Sequence, residues 1–67
     1  MKNNMLKIGD KVVAKLVTNH VEYEIAGHLV QIPYGSIEHW VIADTENHDI
    51  HVWIHKLSEK LLWVAEA

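Results

Sequence analysis

Along most of the chain, apolar residues fall on every second position. In "KVVAKLV", residues 11–17, Val12, Ala14 and Leu16 alternate with Lys11 and Lys15, the period-two signature of a strand with one face toward a core. "VEYEI", residues 21–25, sets Val21, Tyr23 and Ile25 against Glu22 and Glu24, and predicts a second strand with the first set inward. It continues through Gly27 into "HLVQI", where a lone glycine marks a bulge or sharp bend. "PYGS", residues 33–36, is a turn. A strand from Ile37 to Ala43, a polar loop "DTENHD" and a returning strand from Ile50 to Ile54 form a hairpin. "HKLSEK" is too short for a stable helix and predicts one 3₁₀ or α turn before a last strand near Leu61 to Val64. Upstream, Leu6 and Ile8 alternate into a turn at Gly9-Asp10. The pattern predicts an all-β fold of five or six short strands closed into a small barrel, with residues 1–5 as a flexible tail and 6–67 as one domain.

Composition narrows what such a domain can do. At 67 residues the chain buries only about 60% of the surface its unfolded form exposes, so a simple core or self-association is required. It has no cysteine, which removes disulfides, thiolate metal sites and thiol chemistry, and fits a cytoplasmic location. No apolar run has the length of a signal peptide or a membrane span. Nine acidic residues against six lysines and no arginine give a formal charge of −3, and nucleic-acid binding loses its basic stripe and its guanidinium forks.

The candidate chemistry lies in "HDIHVWIHKL", residues 48–57. If Val52 and Ile54 point to the core, His51, Trp53 and His55 point away from it, and an aromatic ring between two imidazoles is more than a solvated face needs. The opposing strand decides the neighbours. An odd-sum pairing sets Trp40 beside Trp53. An even-sum pairing sets Val41 opposite Trp53 and His39 opposite His55, and gathers Trp40, Ile42, Ile50, Val52 and Ile54 inside. The alternation favours the even sum. In either register an apolar, aromatic patch with a polar border has the composition of a protein-binding hot spot, with His51, Trp53, His55, Trp40 and Val41 as candidate binding residues and a protein partner or sister subunits as the occupant.

Other chemistries have weaker footing. His39, His51 and His55 could approach one another, but a metal site needs three or four convergent ligands with supporting hydrogen bonds, and neither a metal nor another cofactor is called for. Glu38 with His55 or His39 forms at most a surface acid-base pair. Ser36, Thr18, Thr45 and Ser58 sit where turns need polar residues, with no nucleophile, base and orienting group together. The pattern therefore leans away from an enzyme.

The entry Gly9-Asp10-Lys11-Val12, the glycine-containing long strand at Gly27, the 37–54 hairpin and Leu57 as an inward leucine before the last strand together resemble the SH3-like barrels. Within that group the chain is similar to the plasmid-borne type II dihydrofolate reductases. Their Val-Gln-Ile-Tyr strand corresponds to Ile50-His51-Val52-Trp53 here, with histidine for glutamine and tryptophan for tyrosine. The family places a phosphate-binding lysine where this chain has Ala14. That resemblance implies an NADPH-dependent reductase active only as a homo-oligomer, as an alternative to protein binding. A small, cysteine-free, acidic chain with a lysine- and asparagine-rich start also resembles accessory proteins of phages and other mobile elements, which implies inhibition of a host factor.

Overall fold

In a computed structural model, which describes residues 6–47 and 49–67, the chain forms five antiparallel strands in one sheet. They are β1 (Lys11–Thr18), β2 (Val21–Gln31), β3 (His39–Asp44), β4 (His51–His55) and β5 (Leu61–Glu66), in the spatial order β4-β3-β2-β1-β5. The tail expected at residues 1–5 lies outside the described residues. Four consecutive strands form a meander, and β5 returns to the far side of β1. Ile54 of β4 packs in the same core as Val12, Ala14 and Leu16 of β1, with Leu29 of β2 and Ile42 of β3 between them. The sheet therefore curls over one core, while β4 and β5 remain its two hydrogen-bonding ends.

The alternation read in β1 is reproduced: Val12, Ala14 and Leu16 are buried. In β2 it is reproduced only in direction. Tyr23 pairs with Leu16 and Val21 with Thr18, so they share the inner side of the sheet, yet both are exposed. The β1–β2 hairpin extends past the core, and at its far end none of the described residues covers the inner face. The two strands are joined by Asn19 and His20, both left-handed with φ of 54° and 67°. A two-residue loop with both residues left-handed matches the right-handed twist of its strands, which is why such turns favour Asn-Gly. Histidine at the second position carries a steric cost that glycine lacks.

Gly27 is the point on which β2 turns from one neighbour to the other, pairing with Val12 of β1 and with Asp44 of β3. Its importance is not a left-handed backbone, since the positive-φ glycines are Gly9 and Gly35. A Cβ at position 27 would fall onto the carbonyl oxygen of Ala43 and within 2.9 Å of Ile42 Cγ2. Of the bulge or sharp bend expected at Gly27, the bulge lies instead at Val30, where Leu29 pairs with Ile42 and Gln31 with Val41, leaving one extra residue on β2.

Three further expectations are corrected. Ile8 is exposed within the Lys7–Asp10 turn, where Gly9 has φ of 96°, and only Leu6 reaches the core. No helical turn follows β4. Two successive tight turns occur there, closed by Ser58 N–H to His55 O at 3.0 Å and Leu61 N–H to Ser58 O at 3.2 Å. Leu57 is not inward but 76% exposed, and Leu61, opposite Leu16 across a bulge in β5, packs against the core where an inward leucine was expected.

Two substitutions test these placements. Gly27→Ala should cost about 1–3 kcal/mol, because backbone must move to admit a single methyl, and urea unfolding with an unchanged midpoint would contradict the close approach. His20→Gly should stabilise by about 0.5–1 kcal/mol, the relief of the left-handed penalty less the greater freedom of glycine when unfolded, read as a thermal midpoint a few degrees higher.

Candidate functional site

The β3–β4 hairpin adopts the even-sum register: His39 is opposite His55, Trp40 opposite Ile54, Val41 opposite Trp53, Ile42 opposite Val52 and Ala43 opposite His51. Because opposed residues share a face, the outer face carries His39, Val41, Ala43, His51, Trp53 and His55. Trp40 lies on the other face and packs against the core with Val52. The five candidate binding residues thus separate, with Trp40 among the supports of the core and the other four together outside. Ile50, expected inside, is 51% exposed just before β4, because β4 ends the sheet among the described residues and none of them flanks it there.

Trp53 is 62% exposed, whereas Val41 directly opposite is 2% exposed. Val41 lies between Trp53 on β4 and Gln31 on β2, in register with both. The bulge at Val30 brings Gln31 to this position, and Gln31 also donates from Nε2 to His39 O at 3.0 Å. The valine is therefore the apolar floor of the patch and Trp53 is its raised, solvent-facing part. The His39 ring meets Trp53 edge-on at 5.8 Å between centroids and His55 edge-on at 4.9 Å. Edge-to-face packing of this kind fixes ring orientation.

His55 is locked from both nitrogens. Leu57 N–H donates to Nδ1 at 3.0 Å, and Nε2 lies 3.1 Å from Glu38 Oε1. A backbone N–H can only donate, so Nδ1 holds a lone pair, and the neutral ring carries its proton on Nε2, directed at the Glu38 carboxylate. With both nitrogens engaged, this imidazole ties the end of β4 to the turn after it and to the residue preceding β3. It is not poised to take a proton from a substrate. Among the described residues no group of three histidine, cysteine, aspartate or glutamate side chains is arranged to hold a metal ion, and none of them lines a pocket.

On the opposite half of the sheet, Lys15 sits between Glu22 and Glu24 at 3.4 and 3.5 Å. Those pairs are largely solvated and contribute little, but they engage the one lysine near the position where the reductase resemblance expects a phosphate ligand. Ala14 itself is fully buried. Alternation revealed Trp53, His51 and His55. Gln31 was missed, because only a bulge with no sequence mark carries it to this face.

His55→Ala should cost about 0.5–1.5 kcal/mol, the worth of a partly exposed hydrogen bond, and accelerate exchange of the Leu57 amide. Long-range ¹⁵N–¹H NMR of the native chain at neutral pH should show His55 as the Nε2–H tautomer; the Nδ1–H form would contradict the geometry.

Compared with protein-family models, with curated proteins and with solved structures, the chain matches none of them.

Proposed function

We propose that this chain is an SH3-like barrel that works as a small protein-binding module, with Trp53 as the anchor of its contact surface. The fold reading is supported by the strand order β4-β3-β2-β1-β5, the long second strand shared between both halves, and a core drawn from β1 to β4. The functional reading is carried by one observation: Trp53 is raised into solvent over a valine floor, with His39 set against its edge. A large aromatic side chain held in a fixed orientation loses little entropy when a partner covers it, and such side chains dominate binding energy at interfaces. His51 and His55 border it with groups that are polar yet carry no fixed charge when neutral, so an apolar partner surface can close over them. A host protein inhibited by covering one of its surfaces is the occupant that the composition implies.

The reductase alternative places the same strand at a pore between subunits. None of the described residues lines a pocket within a single chain, so that activity would depend wholly on assembly. NADPH oxidation with dihydrofolate, measured alongside oligomeric mass, separates the two readings.

A photoreactive side chain introduced at position 51 should crosslink the bound partner, and Trp53→Ala in the same chain should abolish the crosslink by weakening binding by about 2 kcal/mol or more. The same substitution should lower the stability only modestly, by about 1 kcal/mol for uncovering Val41, since most of the ring is already in water. Crosslinks indifferent to Trp53→Ala would overturn the assignment.

A further inference from the structure

We infer that the free edge of β4 pairs with β4 of a second copy of this chain, antiparallel about a two-fold axis at Val52. The inference goes beyond the host-protein reading of the Trp53 face: it concerns the backbone edge beside that face, and either can fail without the other.

Backbone direction supplies the first argument. Lys56 N–H donates to Glu38 O and Asp44 N–H to Ile50 O, each at 2.9 Å. These bonds fix the parity of the hairpin: the amides and carbonyls of Ile50, Val52, Ile54 and Lys56 face β3, and those of His51, Trp53 and His55 face the open edge. Among the described residues β4 is the last strand on that side. His55 O already accepts from Ser58 N–H at 3.0 Å. Among the described residues, His51 and Trp53 are therefore the β4 residues whose edge N–H and C=O are both uncommitted. A two-fold axis at Val52 pairs His51 of each copy with Trp53 of the other and engages all four groups of both copies in four hydrogen bonds. An axis at Trp53 would instead draw on the occupied carbonyl of His55.

Side chains support the same register. On the inner side Val52 meets its own counterpart, and Ile54 comes opposite Ile50 of the second copy, giving that half-exposed isoleucine an apolar neighbour. On the outer side each Trp53 lies opposite a His51. Residues 50–55 carry no fixed charge, so like meets like without repulsion despite the net −3. An edge-to-edge contact of this kind is isologous and closes after two subunits.

The other end of the sheet is built differently. β5 has a bulge where Lys15 pairs with Trp63 and Leu16 with Leu61, and its flanks carry Glu59, Lys60 and Glu66. Bulges and charges are the usual protections of an exposed edge. β4 has a regular register throughout and no charge within it, its nearest charges being Asp49 and Lys56.

The chain has no cysteine, so a single introduced thiol reports the seam directly. Val52→Cys places two thiols across a non-hydrogen-bonded pair, where Cβ atoms lie about 4.5–5.5 Å apart. Under mild oxidation it should form a disulfide-linked dimer on the order of tenfold faster than Trp53→Cys at equal concentration. In the native chain the His51 and Trp53 amides should gain exchange protection as concentration rises, together with a rise in sedimentation mass. A faster reaction at position 53 would overturn the register. A native chain that stays monomeric at millimolar concentration, with those two amides unprotected, would overturn the dimer even if a cysteine variant misfolds. The Trp53-dependent crosslink to a foreign protein would then still stand or fall by its own experiment.

Discussion

The close approach of two backbones at Gly27 organises the whole sheet. At that residue β2 is hydrogen-bonded into both its neighbours, with Val12 on one side and Asp44 on the other, and the carbonyl of Ala43 occupies the space where any other residue would carry its Cβ. Because β2 can pass so close to β3 while still paired to β1, eleven residues serve as the spine of a five-stranded sheet. The curvature brings Ile54 at one end over Val12 and Leu16 near the other. A chain this short has few apolar side chains to bury, and a curled single sheet lets one inner face act as both layers of the core.

The outer face of the hairpin depends on that arrangement through β3. Val41, Ile42 and Ala43 are all buried, so this strand is packed on both sides, which a solvent-facing β3 would not be. The outer cover consists of side chains from the flanking strands: Trp53 and His51 on β4, Gln31 and His28 on β2. Trp53 thus has a structural part and a surface part in one ring. His55 holds the hairpin's end by the opposite means, with polar contacts to Glu38 and the Leu57 amide. Side chains held from several directions lose less freedom on binding than loose ones, which links the local hydrogen bonding to the binding role proposed for the face.

The two ends of the sheet illustrate how a small open sheet handles its edges. β5 departs from regular pairing through a bulge and ends on Glu66, whereas β4 is regular and uncharged within its span, its nearest charges being Asp49 and Lys56. Charge elsewhere on the sheet is compensated locally, as with Lys15 between its two glutamates. β4 is also the strand whose outward side chains are Trp53 and two imidazoles, while β5 exposes Leu62 and Trp63.

Alternation alone was enough to identify the strands, the inward set Val12, Ala14 and Leu16, and the outward set His51, Trp53 and His55, because side-chain direction in a strand has a period of two whatever the strand packs against. It also favoured the hairpin register, since that choice alone puts Trp40 and Ile42 with Val52 and Ile54. Alternation does not say how far the core extends, so Val21 and Tyr23 point inward yet stay exposed, Ile50 stands at an open edge, and Leu57 projects into solvent from a tight turn. The bulge at Val30, which carries Gln31 beside Val41, and the backbone contact that requires glycine at 27 belong to pairings between strands distant in sequence. Their cause is the tertiary fold, where two strands meet at close range and only one spacing satisfies both ladders of hydrogen bonds.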